Sequence, residues 1–122
     1  FLRQHGVYAI VAVDGLVKNP FPYQGNVVAT LAMARRMISQ TEALFSQKND
    51  FVLYFNPFIV TGIPAEQFVA DKEIYVVGRV LGLRVPSAAI EGGLPIAHLE
   101  YMGDFSGYSQ DEIQAALAQA RQ

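Results

Sequence analysis

Residues 26–47, NVVATLAMARRMISQTEALFSQ, decide which fold this chain adopts, because two periodicities overlap in them. Helical spacing places one set of apolar residues on a single stripe: Val27, Leu31, Ala34, Ile38 and Phe45. A second set of apolar residues recurs at the two-residue spacing of a strand, up to about Met37: Val27, Ala29, Leu31, Met33 and Met37. A helix here gives the element order β-α-β-α-β-β-α, whereas a strand gives β-β-β-α-β-β followed by a C-terminal helix.

The segments on either side are easier to assign. Four runs rich in apolar and β-branched residues predict strands, at residues 7–17, 51–56, 73–85 and 95–102. The first of these strands is expected to bend or bulge at Asp14-Gly15. Pro64 in a first-turn position predicts a short helix over residues 63–71. Ser109 and Glu112 have the spacing of a capping box, which predicts a C-terminal helix extending to Gln122.

Three features favour the extended reading of residues 26–37. The turn KNPFPYQG (18–25) would join two long strands as a hairpin, a short helix precedes the strand 73–85, and Gly78 and Gly82 would let that strand coil. We therefore predict an all-β, five-stranded Greek-key barrel of the OB type, with a short helix between strands three and four and a C-terminal helix. The alternative is a ferredoxin-like α+β sandwich. We expect a single domain over residues 1–122, with the barrel at about 7–105 and the helix at about 109–122.

Two stretches resemble a known group of domains. ADKEIYVVGRVLGLRV (70–85) and PIAHLEYMG (95–103) resemble the OB domains of small bacterial envelope proteins, which are similar to the tRNA-anticodon and nucleic-acid-binding-like OB family. The resemblance covers about residues 7–105 and implies a periplasmic or envelope-associated, lipoprotein-like binding module; a cytoplasmic location is the alternative. Because the first residue is Phe1, we expect a trimmed segment whose signal peptide or lipid-attachment cysteine would lie upstream.

Composition restricts the functional classes. The 122 residues are 52% hydrophobic and 16% charged, as in ordinary folded domains, and no apolar run reaches the ~18 residues of a membrane span. Because cysteine is absent, disulfides, thiolate catalysis and zinc–sulfur sites are excluded for this segment. The net charge of −2 gives no global attraction to nucleic acid, and residues 91–122 carry five acidic residues against Arg121.

The candidate binding residues are aromatic rings and cations that an OB barrel would bring to its ligand-binding face and loops: Lys18, Phe21, Tyr23, Arg35, Arg36, Tyr54, Arg79 and Arg84. Rings on which bases stack, beside cations that follow phosphates, are typical of single-stranded nucleic-acid sites. Another oligomeric ligand or a peptide is equally compatible with this set. The ferredoxin-like alternative would instead serve oligomerisation or small-molecule binding, and a protein partner or homo-oligomer is compatible with either fold.

Catalytic chemistry has little support in the sequence. No Gly-x-Ser-x-Gly motif is present, and His98 and Glu100 would need a third ligand to hold a metal ion. We therefore expect a non-catalytic protein without cofactor or metal. Two rings lie in the proline-rich turn, where we expect Phe21 to close the barrel end and Tyr23, whose hydroxyl favours a wet position, to face a ligand.

Overall fold

Five long strands dominate the computed structural model, which describes residues 7–48, 55–84, 95–104 and 109–120. The strands are β1 (Ala9–Ile10), β2 (Val27–Met37), β3 (Glu42–Gln47), β4 (Phe55–Thr61), β5 (Glu73–Arg84) and β6 (Ile96–Asp104). The helices are α1 (Val13–Lys18) and α2 (Gln110–Ala120), with 3-10 turns at Phe21–Tyr23 and Ala65–Gln67.

The strands β2 to β6 form a closed barrel. Their order is β2-β3-β4-β6-β5, and β5 pairs back onto β2. Within the barrel, β4 and β6 are parallel, while the other four pairings are antiparallel. With the 3-10 turn Ala65–Gln67 between the third and fourth barrel strands, this is an OB-like all-β barrel, as the sequence predicted. The ferredoxin-like alternative required a helix over residues 26–47, where β2 and β3 lie instead.

Alternation in β2 explains why this segment is a strand despite its helix propensity. Val28, Ala32 and Ala34 point into the barrel and are at most 1% exposed, while Leu31 and Arg36 remain exposed. Inside the barrel, the rings of Phe45 and Phe58 stack with their centroids 5.8 Å apart. Burying one face of β2 against these rings outweighs local propensity, because most strand stability comes from packing.

The first predicted strand, Val7–Val17, is wrong. Only Ala9–Ile10 is extended, and it pairs in parallel with Val28–Ala29, while Val13–Lys18 forms α1. Val13 and Leu16, three positions apart, are both buried in the core cluster. A helical turn places both side chains in the open end of the barrel, which a strand cannot do. The turn KNPFPYQG therefore joins α1 to β2 and is not a hairpin between long strands.

Other boundaries also differ from the prediction. The strand β3 was not assigned from the sequence. Described β4 continues to Thr61, beyond the predicted end at Asn56, and residues 51–54 of the predicted strand lie outside the described residues. The helix predicted over 63–71 is reduced to the 3-10 turn Ala65–Gln67. The capping box is confirmed, since the Ser109 N–H donates to Glu112 Oε1 and the Glu112 N–H donates to Ser109 Oγ, both at 3.2 Å.

The two glycines of β5 fulfil different requirements. A Cβ at Gly78 would lie 3.0 Å from Leu99 Cβ and Cδ2 and 3.2 Å from the Glu100 carbonyl oxygen. This position therefore needs glycine because β5 and β6 approach closely. Gly82 has φ +114° and lies at a bulge between Val80 and Gly82, opposite His98 of β6. This second glycine is needed for a backbone conformation that L-residues avoid.

Candidate binding surface at one end of the barrel

The proline-rich turn is fastened to β5 by main-chain hydrogen bonds. The Gly25 N–H donates to the Val80 carbonyl at 2.7 Å, and the Val80 N–H donates to the Asn26 carbonyl at 2.9 Å. Within the turn, the Tyr23 N–H donates to the Pro20 carbonyl at 2.9 Å, and Pro20 is buried. Because prolines fix φ and the turn is bonded to β5 at Gly25 and Asn26, its main chain is held with little freedom.

The two rings of the turn occupy opposite environments. Phe21 is 59% exposed, whereas Tyr23 is half-buried and packs against the core cluster. This is the reverse of the sequence-based expectation, in which Phe21 closed the barrel end. The end is instead closed by Leu16 of α1, which is fully buried, so Phe21 has no space to fill there.

Two leucines of β5 are further exposed apolar residues at this end of the barrel. Leu81 and Leu83 are 40% and 47% exposed, and they follow Val80, to which the turn is bonded. A side chain at Gly82, between the two leucines, would lie 3.5 Å from the Gln24 amide. We call Phe21, Leu81 and Leu83 the apolar rim. Neither leucine was predicted as a site residue, because the alternating pattern placed both on an apolar face of the strand.

A polar network holds α1 in the barrel end near the apolar rim. The Asn56 side-chain amide donates to Asp14 Oδ1 at 3.1 Å and to Gln47 Oε1 at 2.8 Å. Lys18, a predicted site residue, pairs with Asp14 at 2.9 Å. Hydrogen bonds from Lys18 and then Asn56 hold the pKa of Asp14 below its ordinary value. Asn56 has φ +51°, an unusual conformation for a residue in a strand, and its bonds to α1 and β3 compensate for it.

The predicted arginines are scattered over the barrel and partly engaged. Arg35 lies at a bulge of β2, where its Nε donates to Ser46 Oγ at 2.7 Å. Arg36 and Arg79 are exposed on β2 and β5, and Arg79 lies opposite Glu100 in the ladder with β6. Arg84 forms an ion pair with Glu42. These four cations therefore do not form one continuous basic surface.

The outer surface of the barrel carries a second polar group of residues around His98. His98 Nε2 lies 3.1 Å from Thr61 Oγ1, and the Arg84–Glu42 pair adds opposite charges to its surroundings. Burial, and next the Arg84 charge, lower the pKa of His98. A hydrogen bond from Arg84 lowers the pKa of Glu42. Each polar group here has a partner within the chain, so this arrangement is explained as a structural tie between β3, β4, β5 and β6.

Two of the predicted binding regions cannot be placed. Tyr54 and the loop at residues 86–93 lie outside the described residues. Among the predicted site residues that are described, the structure brings Phe21 and Tyr23 to one turn and places Lys18 at the same barrel end. The other candidates, Arg35, Arg36, Arg79 and Arg84, are distributed along β2 and β5.

The rest of the described chain offers little for small ligands or metals. A cavity of about 200 Å³ lies at the other barrel end, lined by Glu66, Gln67, Val69, Lys72 and Ile74, and is smaller than ordinary ligand pockets. Over residues 7–48, 55–84, 95–104 and 109–120, no three His, Cys, Asp or Glu side chains come together as a metal site requires. No helix within those same segments has the length and apolarity to cross a membrane.

Comparison with known proteins adds no family assignment. No protein-family model, curated protein sequence or solved structure matches this chain. The candidate surface therefore rests on the residues and geometry described above.

Proposed function

We propose that this protein is a non-catalytic OB-like binding module, and that the apolar rim binds an extended segment of another protein. The observation that carries the proposal is the 59% exposed Phe21 ring on a turn fixed by Pro20, Pro22 and two hydrogen bonds to β5. Because the main chain that carries the ring is already fixed, binding requires little further ordering of the turn, which is typical of interface anchors. The envelope location is part of the same proposal and rests on the sequence resemblance alone.

A peptide fits this surface better than single-stranded nucleic acid. Nucleic-acid affinity depends mainly on phosphate contacts, yet Lys18 is paired with Asp14 and Arg84 with Glu42. The exposed apolar residues of β5 that follow Val80 are the aliphatic Leu81 and Leu83, which offer no face for base stacking. Aliphatic and aromatic side chains of an extended peptide are the natural complement of such a surface.

The test is a selection of 12-residue peptides from a random library on the immobilised protein, followed by titration of an enriched peptide. Phe21→Ala should weaken binding at least about tenfold, as interface anchors do. Val69→Ala is the matched control, because Val69 is 55% exposed at the opposite barrel end; this variant should bind as the wild type does.

Two outcomes would contradict the proposal. The first is a wild-type selection without enrichment, or enriched peptides that bind Phe21→Ala and the wild type equally well. The second is tight binding of a 12-residue oligodeoxythymidine that is lost in Phe21→Ala, which would assign the ring to base stacking instead.

A further inference from the structure

The barrel has a second apolar surface, on the outer side of β2 and β5. Ala29 and Val77 lie opposite each other in the ladder between these strands, and both are fully buried although neither belongs to the core cluster inside the barrel. They pack instead with Ile113 of α2 in a separate cluster, which Val27 and Tyr75 border. We call Val27, Ala29, Tyr75 and Val77 the outer face, and the C-terminal helix covers it.

The described side chains of α2 give it only a narrow contact with the barrel. Among them, Ile113 and Ala116 are buried, whereas the exposed ones are Asp111, Glu112, Gln114, Ala115 and Ala118. The two bonds of the capping box, between Ser109 and Glu112, lie within the first turn of the helix. An isolated helix of 11 residues is marginal in water, so α2 stays helical only while it is docked.

The closed barrel does not depend on α2. No described residue of this helix belongs to the core cluster inside the barrel. The ladder that closes the barrel runs without a register shift from the pair Val27–Arg79 to the pair Met33–Glu73. Undocking of α2 therefore removes the contacts of Ile113 with the outer face and leaves the strand pairings intact.

We propose that α2 is a detachable cover, and that the outer face binds an amphipathic helix of a partner protein when α2 leaves it. The class of partner follows from α2 itself, since Ile113 shows that this face accepts the apolar side of a helix. The outer face is a second binding site of the module and does not rest on binding at Phe21.

A partner helix displaces α2 only if it buries more apolar surface than α2 does. Because β6 ends at Asp104 and α2 begins at Gln110, the short connection keeps α2 at an effective concentration on the order of millimolar. The α2 helix of a second copy has the same residues and lacks this advantage. Leu31 follows Ala29 on the same side of β2, opposite Tyr75, and is 40% exposed with α2 docked. A partner helix with a further large apolar side chain gains the Leu31 surface.

The first test is amide hydrogen exchange of the wild-type protein. The Ile113 amide donates to the Ser109 carbonyl within α2, and the Val80 amide donates to the Asn26 carbonyl in the barrel. If α2 detaches while the barrel stays closed, the protection of the Ile113 amide should be at least about tenfold lower than that of the Val80 amide. Equal protection of the two amides would show that α2 opens only with the whole fold and would overturn the proposal.

The second test removes the apolar anchor of α2. Ile113→Asp places a charge against Ala29 and Val77, so α2 should undock and the NMR amide signals of both residues should shift. Gln114→Asp adds the same charge at an exposed position of the same helix and should leave both signals in place. Unfolding of the barrel in Ile113→Asp would make α2 an integral part of the fold and overturn the detachable cover.

The third test titrates a synthetic peptide of residues 107–122 into Ile113→Asp. The peptide should return the Ala29 and Val77 signals toward their wild-type positions with a Kd on the order of 0.1 mM, the value for a helix docked about nine-tenths of the time at millimolar effective concentration. The wild type should bind it about tenfold more weakly, because its outer face is free for about a tenth of the time. The same peptide with aspartate at position 113 is the control and should not bind.

Three results of these experiments would contradict the proposal. Unchanged Ala29 and Val77 signals at 1 mM peptide, a concentration about ten times the expected Kd, would overturn the helix-binding face. Dimers of Ile113→Asp joined through the uncovered face would overturn the choice of a partner helix over a second copy. Peptide variants selected on the wild type should bind Leu31→Ser at least about tenfold more weakly, as for an interface anchor, and equal binding would overturn the role of Leu31. Each of these results leaves the proposal for Phe21 standing.

Discussion

One added methyl group at Gly78 should destabilise the barrel, although alanine is usually a better-tolerated residue than glycine. The new Cβ would lie 3.0 Å from two carbons of Leu99 and 3.2 Å from the Glu100 carbonyl oxygen. Leu99 is fully buried, so its side chain has no free space into which it can move. Overpacking of this kind costs about 1–3 kcal/mol.

Gly15→Ala is the matched control for this substitution. A Cβ at Gly15 meets no atom within 4 Å, and the residue lies exposed within α1. Alanine should therefore stabilise the protein there by about 0.5–1 kcal/mol, the difference in helix preference between the two residues. Replacing glycine by alanine should thus lower the stability at Gly78 and raise it at Gly15.

Thermal denaturation followed by circular dichroism can resolve both effects. For a chain of this size, 1 kcal/mol corresponds to roughly 3–6 °C in Tm. We expect Gly78→Ala to melt below the wild type and Gly15→Ala to melt above it. A Gly78→Ala variant with an unchanged or raised Tm would refute the close contact between β5 and β6.

Three further predictions concern single side chains. Thr30→Val should raise stability by about 1 kcal/mol in urea denaturation, because the Thr30 hydroxyl is buried without a hydrogen-bond partner among the described residues. A lower stability of this variant would mean that the hydroxyl is hydrogen-bonded. Ser109→Ala should cost about 1 kcal/mol and reduce the helical dichroism, since it removes half of the capping box, and unchanged spectra and stability would contradict this role. Burial lowers the pKa of His98 in the folded protein, so on acidification the unfolded chain takes up this proton at a higher pH than the folded chain does. Wild-type stability should therefore fall as the pH drops below about 6.5, and His98→Gln should flatten that fall.

The barrel strands were partly predictable because their burial leaves a period of two in the sequence. In β6, Ala97 and Leu99 are buried while Glu100 is exposed, as the alternating pattern indicated. In β2, the same period correctly predicted a strand, but the alternating set that included Val27, Ala29 and Leu31 is not the inner face, which is formed by Val28, Ala32 and Ala34. The capping box at Ser109 was predictable because both of its hydrogen bonds are local.

The first segment was mispredicted because its conformation depends on the rest of the barrel. Val7–Val17 is rich in β-branched residues, which favours a strand locally. The chain forms α1 instead, because a helical turn brings Val13 and Leu16 together in the core at the barrel end. These contacts are made with distant strands, so no local sequence pattern predicts them. The proline-rich turn was predicted to connect the first two barrel strands, and this prediction was wrong for the same reason.

The candidate site was less predictable than the fold. Aromatic residues in the turn were found from the sequence, but which ring faces solvent depends on how α1 fills the barrel end. Leu81 and Leu83 were assigned to one apolar face of the strand, but the residues of β5 that face the barrel core are Val76 and Val80, so both leucines remain exposed. The ion pairs also could not be predicted without the folded geometry: Lys18 pairs with Asp14, and Arg84 pairs with Glu42.

The central claim is that the Phe21 ring is held in solvent for a partner while Tyr23 anchors the turn. The most direct test measures urea denaturation and binding of a selected 12-residue peptide for Phe21→Ala and Tyr23→Ala. We expect Phe21→Ala to change stability by less than about 0.5 kcal/mol while weakening peptide binding at least about tenfold. Tyr23→Ala should lose about 1–2 kcal/mol of stability, because its ring is half-buried against the core. Loss of stability in Phe21→Ala equal to that in Tyr23→Ala would show that the turn is structural and contradict the account.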